Sequence, residues 1–428
     1  MARADGPVPQ IEAQVLLPIA RQAIVTRGLD SKGLDTGETS ESPADRYLLD
    51  AWQMVPIQAS ADRVNTWRLS GTLHGPDGPR AFSVILKRLR GIPEQHPEVQ
   101  AYRSGMLDRL REQSFGLIAA RCFGVSGPAV SSEPSVSMEA TMWLWLEDMA
   151  EPPGTHWSLG RYGLAAYHLG RFNGAYPVGL ARSFFDDPGR ALEVPTHPWL
   201  GNGFLADWLG FVEQEGLGDA ILGTRPEDER AWEHPLVRRV YPAPLRARLI
   251  RLWRERLTLL AALNRLPRTL AHGDAHRRNL LTRVGAAGEL TVGVDWDAMG
   301  LAPLGEDPGH LVSSSQIMGA DPRRARELDR IIFERYLQGL RDAGWRLDQR
   351  TRDLIRFGYA LHTSLNMGVF VGGALPAALS QPWLRQWIES LFHRPLETAA
   401  PLLALLTDFT LDLADEAREQ GAALGVLL

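Results

Sequence analysis

Residues 270–281 read LAHGDAHRRNLL, and after a short turn-rich spacer residues 291–297 read TVGVDWD. These segments set His272, Asp274 and Asn279 on one loop and Asp295 at the end of an apolar strand. An Asp, an Asn five positions on and a second Asp on the next strand form the set that phosphoryl transfer requires. The first Asp accepts the proton of an attacking hydroxyl or orients it. The Asn and the second Asp hold magnesium ions that bridge nucleotide phosphates. His272 precedes Asp274 by two and reads as a hydrogen-bonding support that turns Asp274 toward the reaction. His276 reads as a solvated loop histidine. Arg277 and Arg278 lie between the base and the metal ligand. One is a candidate for the γ-phosphate or an anionic substrate group, and an exposed, non-catalytic role is equally open.

Lysine is almost absent from the chain: Lys32 and Lys87 stand among 46 basic residues. A lysine kept in the middle of the strand FSVILKRLR therefore asks for a reason. Its compact ammonium suits a phosphate where the planar arginine fork does not. The following segment offers a carboxylate to hold it. Glu94 lies before Pro97 in loop-like sequence, so Glu98, on the helix, is the better-placed partner. Further on, WLWLEDMAEPP joins an apolar strand to a turn-rich connector. Backbone groups from Leu146 to Met149, including those of Glu147, would offer adenine the donor and acceptor it needs between apolar walls.

Stepping outward to the elements, residues 1–43 hold one helix, IEAQVLLPIARQAIV, and a Gly/Ser/Thr/Asp-rich linker. Residues 44–149 read as a small strand-rich domain. WQMVPIQ, TWRLSGTL and RAFSVILKRL are separated by turn signals, a helix runs through HPEVQAYRSGMLDRLREQ, and strands follow at IAARCFGV and MWLWLED. Residues 150–428 read as a larger helical domain interrupted by the HGD loop and its strand, with a helical insert at about 198–266. The expected fold class is α+β with two lobes, and the expected site lies in the cleft between them. The acceptor is expected among the helices of the insert and those after 350. PLGEDPGHLV places Asp307 where it could cap the following helix through Pro308.

The bulk numbers narrow the class. The 428 residues are 44% hydrophobic and 23% charged, with a net charge of −5 spread along the chain. That balance argues against a nucleic-acid binder. No apolar run reaches the roughly 20 residues of a membrane span, and the first residues do not read as a signal peptide, so a cytoplasmic location is expected. The single cysteine, Cys122, sits in an apolar setting and excludes both an intrachain disulfide and a thiolate metal cluster.

Together HGDAHRRN and VDWD resemble the aminoglycoside phosphotransferase and choline kinase-like family, whose pattern is HGDxxxxN followed by DWE or DWD. The resemblance covers most of the chain from about residue 44. It implies a bilobal protein-kinase-like fold and transfer of the ATP γ-phosphoryl group to a small-molecule hydroxyl. By matching position it implies Asp274 as catalytic base, Asn279 and Asp295 as Mg2+ ligands, and Lys87 as the phosphate lysine. EVQAYRSG resembles the family's E-x-x-x-Y helix and implies Glu98 as the lysine's partner. LEDM resembles its hinge, and Asp307 falls in its downstream Gly–Asp segment with a structural role. LGRFNGAY resembles a family helix with Asn173 where histidine is usual. The flap QASADRVNTW lacks the glycines that let a backbone approach phosphates, and Ser60 and Asn65 are the candidates to serve in their place.

Two other readings stay open from sequence. One is a kinase-like binding module without catalysis, motivated by the glycine-free flap. The other takes His272, Asp274 and His276 as an H-x-D-x-H metal set of a hydrolase, with Asp295 or His310 completing the sphere.

Overall fold

The computed structural model describes residues 11–29, 46–57, 65–91, 94–112, 115–126, 141–149, 156–184, 204–285 and 288–427. Ser60 and the expected linker after residue 29 lie outside them, as does Trp199. The fold is α+β, with a strand-rich N-terminal part and a larger helical C-terminal part. Two compact units are formed. The first draws on residues 1–109, 118–151 and 282–292; the second draws on 110–117, 152–281 and 293–428. The chain thus passes between units five times. Among the described residues no helix is long and apolar enough to cross a membrane.

The first unit is built on an antiparallel sheet of β1 (Leu48–Pro56), β2 (Thr66–Gly75), β3 (Gly78–Arg90), β5 (Cys122–Ser126) and β6 (Thr141–Glu147), in the order β1-β2-β3-β6-β5. Between β2 and β3 a two-residue turn, Pro76–Asp77, sets the register, pairing Gly75 with Gly78 and Thr66 with Lys87. Alternation along each strand gives the sheet two buried faces. Phe82, Val84 and Leu86 of β3 join Trp145 of β6 and the helix Ala13–Leu29, which contributes Leu16, Ala20 and Ala23. The opposite parity, Ile85 and Leu89 with Met142, Leu144 and Leu146, packs on Val99 of the helix Pro97–Arg103. Lys87 shares that second parity, which turns it to the helix that carries Glu98.

Two local expectations are corrected. The helix expected through 96–113 is broken into Pro97–Arg103 and Met106–Glu112 at Gly105, whose φ of 70° is left-handed. IAARCFGV is not one strand: β4 (Leu117–Ala119) pairs in a separate three-stranded sheet with β9 (Leu280–Gly285) and β10 (Gly288–Gly293), whereas β5 joins the main sheet.

In the second unit, β7 (Pro177–Val178), β8 (Arg268–Ala271) and β11 (Gly300–Pro303) form a short antiparallel sheet, order β11-β8-β7. The catalytic-loop sequence leaves the end of β8. Around it the helices Leu159–Ala175 and Ala325–Asp342 cross at glycines. A Cβ on Gly170 would lie 2.2 Å from the Tyr336 carbonyl oxygen, and one on Gly339 would lie 2.1 Å from that of Tyr167. Backbone meets backbone here, so no side chain can yield. This crossing fixes Asn173 and Tyr336, which hold the loop as described below. Gly170→Val is therefore expected to destabilise the protein by about 3 kcal/mol or more, read by denaturant unfolding, since overpacking a backbone contact forces the helices apart. Unchanged stability would show that the crossing does not constrain the unit.

Candidate active site

The residues singled out from sequence fall in two groups, one in each unit. In the first, Lys87 Nζ lies 2.6 Å from Glu98 Oε2, with Glu98 fully buried and the lysine side chain 12% exposed. A buried carboxylate is stable as an ion only beside such a cation. Asn65 precedes β2; its carbonyl accepts from the Arg88 amide at 2.7 Å and its side chain from Thr66. At the end of β6 the acids are tied into the unit: Glu147 is 2.5 Å from Arg283 and accepts the Arg121 amide. Asp148 receives Arg68 and Ser83. Met149 Sδ contacts the same Arg283 guanidinium. The Cys122 thiol, pushed up to about 11 by burial, is unreactive at neutral pH.

In the second unit the loop is anchored by a carboxylate. Asp307 is buried and accepts the amide of His272 on Oδ2 and that of Gly273 on Oδ1, each at 3.0 Å. Asn173 donates to the same Asp307 at 2.9 Å and to the Leu270 carbonyl, while Tyr336 donates to the Asn173 oxygen. The expected helix-capping role of Asp307 is thus replaced: Gly305 stands at the cap, and Asp307 turns back onto the loop. Gly273 has a φ of 81°, and a Cβ there would meet the Ala298 carbonyl oxygen at 2.1 Å. This explains why glycine separates His272 from Asp274.

β8 ends at Ala271, so His272 and Asp274 lie beyond the strand, on the loop. Burial pulls the His272 imidazole below its ordinary value and keeps it neutral. Its Nδ1 accepts the Asp274 amide, so Nε2 is the protonated nitrogen, and it donates to the Val294 carbonyl at 3.1 Å. The ring packs on Trp296. The Val294 amide in turn donates to the Asn279 carbonyl at 2.9 Å. One residue therefore ties the loop to the segment that bears Asp295. That Asp does not end the strand, as its sequence implied. β10 stops at Gly293, and Asp295 adopts a left-handed φ of 62°, a conformation Asp tolerates better than most residues.

Asp274 is the point of convergence. His310 Nε2 lies 3.0 Å from Oδ1, His276 Nε2 lies 3.4 Å from Oδ2, and Asn279 Nδ2 donates to Oδ2 at 2.8 Å. The His310 ring thus stands at ion-pair distance from Oδ1. Burial raises the Asp274 carboxyl, but the bonds and charges of the two histidines outweigh it and hold the acid well below the usual range. Asp274 is therefore ionised at any physiological pH. Asn279 spends its amide nitrogen on Asp274, which leaves its oxygen turned away as a hard donor. With the Asp295 carboxylate, this donor chemistry fits magnesium.

The H-x-D-x-H metal set is not assembled, because His272 faces Val294. Among the described residues no group of three or more His, Cys, Asp or Glu is arranged to hold a metal ion. Asn366 was not legible as part of the Asp274 environment, and His310 was read beside Asp274 only as a completing ligand of that metal set. Asn366 lies in a π-helical turn, Ser364–Gly368, and contacts His310 and Ser313. The only sequence signal was a histidine three residues after Asp307 in the first turn of a helix. Ring contacts continue from His310 to Phe204, Trp208 and Phe370.

The model of the phosphotransferase enzyme family matches residues 210–355, the segment that contains the anchored loop, Asp295, Asp307 and His310. The match covers about a third of the chain. No curated protein sequence matches it. Among solved structures, this chain is similar to an aminoglycoside phosphotransferase from Alicyclobacillus acidocaldarius, at 15% identity and a TM-score of 0.46, over 90% of this chain and 98% of that one. A microcompartment-associated aminopropanol kinase matches at 16% identity and a TM-score of 0.46, over 90% and 97%. A choline kinase from Cryptosporidium parvum matches at 9% identity and a TM-score of 0.41, over 97% and 98%.

Two measurements test the anchoring. Asp307→Ala strands two buried loop amides and should cost roughly 3 kcal/mol or more of unfolding free energy. A variant as stable as the parent would show that the loop holds itself. Beside it, burial pushes the Glu306 carboxyl up to about 8. Between its ordinary value and 8 it is neutral when folded and ionised when unfolded. Its contribution to stability is present at acid pH and lost as pH rises through 8. Glu306→Gln should therefore gain on the parent in stability as pH rises from about 5 to about 8, and parallel curves would contradict this.

Proposed function

We propose that this chain is a phosphotransferase that uses ATP and magnesium to move the γ-phosphoryl group onto a hydroxyl of a small molecule. The acceptor class is a sugar, amino sugar, amino alcohol or aminoglycoside-like compound. The observation that carries the reading is the ionised Asp274 held by Asn279 on a loop whose ends are tied to Asp307 and Val294. A carboxylate so fixed gives an incoming hydroxyl one direction of approach, which converts a bimolecular encounter into an oriented one.

Asp274 is too acidic to take a proton early. Its role is to orient the acceptor hydroxyl by accepting its hydrogen bond. The hydroxyl proton passes late to the Asp274 carboxylate, as the new O–P bond forms and the bond from the γ-phosphorus to the β–γ bridging oxygen breaks, leaving ADP. His272 is the support of Asp274: as a neutral Nε2–H tautomer it braces the loop without adding charge. Asn279 and Asp295 would hold magnesium, which when bound neutralises phosphate charge. Lys87, kept in place by Glu98, would bind the α- and β-phosphates. Asn65, beside the register position of Lys87, and backbone groups from Glu147 to Met149 would line the nucleotide site, with Ser60 as a flap contact.

Asp274→Ala should lower ADP release on a panel of hydroxyl compounds by at least about a thousandfold while the thermal shift produced by magnesium-ATP persists. Full phosphotransfer by that variant would remove Asp274 from the chemistry. Lys87→Met should act on the other substrate, raising the KM for ATP and lowering kcat; an unaltered KM and kcat would contradict the phosphate role.

A further inference from the structure

Beside the HGD loop, the second unit carries a solvent-open cavity of about 130 Å³ lined in part by His156, Trp157, Tyr162, Arg277, Asp321 and Arg324. Arg277 lies three residues after Asp274 and is half-buried. Among the described residues no carboxylate lies within ion-pair distance of it. The group it faces is neutral, the hydroxyl of the buried Tyr162. The acids nearby are matched elsewhere. Asp321 accepts the Arg323 amide at 3.0 Å and lies 3.5 Å from its guanidinium, and Glu327 pairs with Arg324 at 2.8 Å. Trp157, a wall of the cavity, is covered by the Arg161 guanidinium 4.3 Å from its ring centre. The cavity thus keeps one cation in excess.

A half-buried guanidinium without a counter-ion is costly, because water is partly removed and nothing replaces its charge. The planar fork matches a carboxylate or phosphate in two parallel hydrogen bonds. A cavity of this size admits such a group and a few further atoms. We propose that it is an oxyanion subsite in which Arg277 binds a carboxylate or phosphate carried by the phosphoryl acceptor. The inference rests on the phosphotransferase reading and narrows it: the acceptor is an anionic hydroxyl compound, such as a hydroxy acid or a sugar phosphate, and not a polycation. The nucleotide already has Lys87 and the metal for its charge. Arg277, on the loop that orients the acceptor hydroxyl, remains for the second substrate.

Binding of inorganic phosphate to the full chain, followed by calorimetry with and without a saturating non-hydrolysable ATP analogue and magnesium, tests the site itself. Phosphate should bind in both conditions. Arg277→Gln should weaken it at least tenfold, and Arg277→Lys, which restores the charge but not the fork, should recover part of the loss. Equal binding by parent and Arg277→Gln overturns the site. Phosphate binding lost whenever the nucleotide analogue is present overturns the assignment to the acceptor and gives the cation to the nucleotide.

ADP release with matched anionic, neutral and cationic alcohols then tests the substrate class. Anionic acceptors should be turned over, and Arg277→Gln should raise their KM at least tenfold with the KM for ATP unchanged. Turnover confined to cationic alcohols and indifferent to Arg277→Gln overturns the proposal while leaving the phosphotransferase reading intact. Phosphate binding that depends on Arg277, together with no ADP release from any acceptor, supports the anion site and overturns the phosphotransferase reading.

Discussion

Two backbone amides, those of His272 and Gly273, end on the two oxygens of the buried Asp307 carboxylate. Without that carboxylate both amides would be buried and unmatched, so the loop could not hold this path. Much of the second unit serves this contact. The glycine crossing of two helices brings Asn173 and Tyr336 to the carboxylate, and the left-handed Gly273 lets the chain turn against Ala298. Downstream, His272 reaches Val294 and Val294 reaches Asn279, so one grip is passed along to the residues on both sides of Asp274.

Asp274 illustrates how a site can set charge and direction together. Its two histidines and one amide differ in what they contribute. Asn279 gives an aligned hydrogen bond from the same loop, whereas His310 approaches from a buried helix. The acid stays ionised although it is largely removed from water. In the first unit the same problem has a different solution, a single lysine against a fully buried glutamate. Both carboxylates, one fully and one partly buried, are made tolerable by fixed partners.

Much of this was legible from sequence because it lies in local spacing. The parity of β3 turns Lys87 to the Glu98 helix, and a short-range motif places Asp274 and Asn279 on one loop. What was not legible depends on long-range packing. Asp307 looked like a helix cap because its sequence neighbours fit that role; the amides it accepts are about 35 residues away in the chain. His310 and Asn366 meet through a π-helical turn that no periodicity announces. Gly105 broke a helix whose apolar spacing ran on through it, since a spacing pattern does not register one left-handed residue. The strand at 118–125 divides between two sheets because Ala120 and Arg121 leave the first before the second begins.

The five passages of the chain between units bear on the order in which the protein is made. A ribosome releases the sequence from its N-terminus, and contiguous domains fold as they emerge. Here the first unit is not contiguous. Its last piece, residues 282–292, arrives only after the HGD loop has been synthesised, and it is flanked by Asn279 and Asp295. The strands from Leu48 to Glu147 must therefore wait, incomplete, for a segment taken from the middle of the catalytic sequence. No single truncation of the gene separates the two units, and neither can be finished before the residues of the candidate active site have left the ribosome.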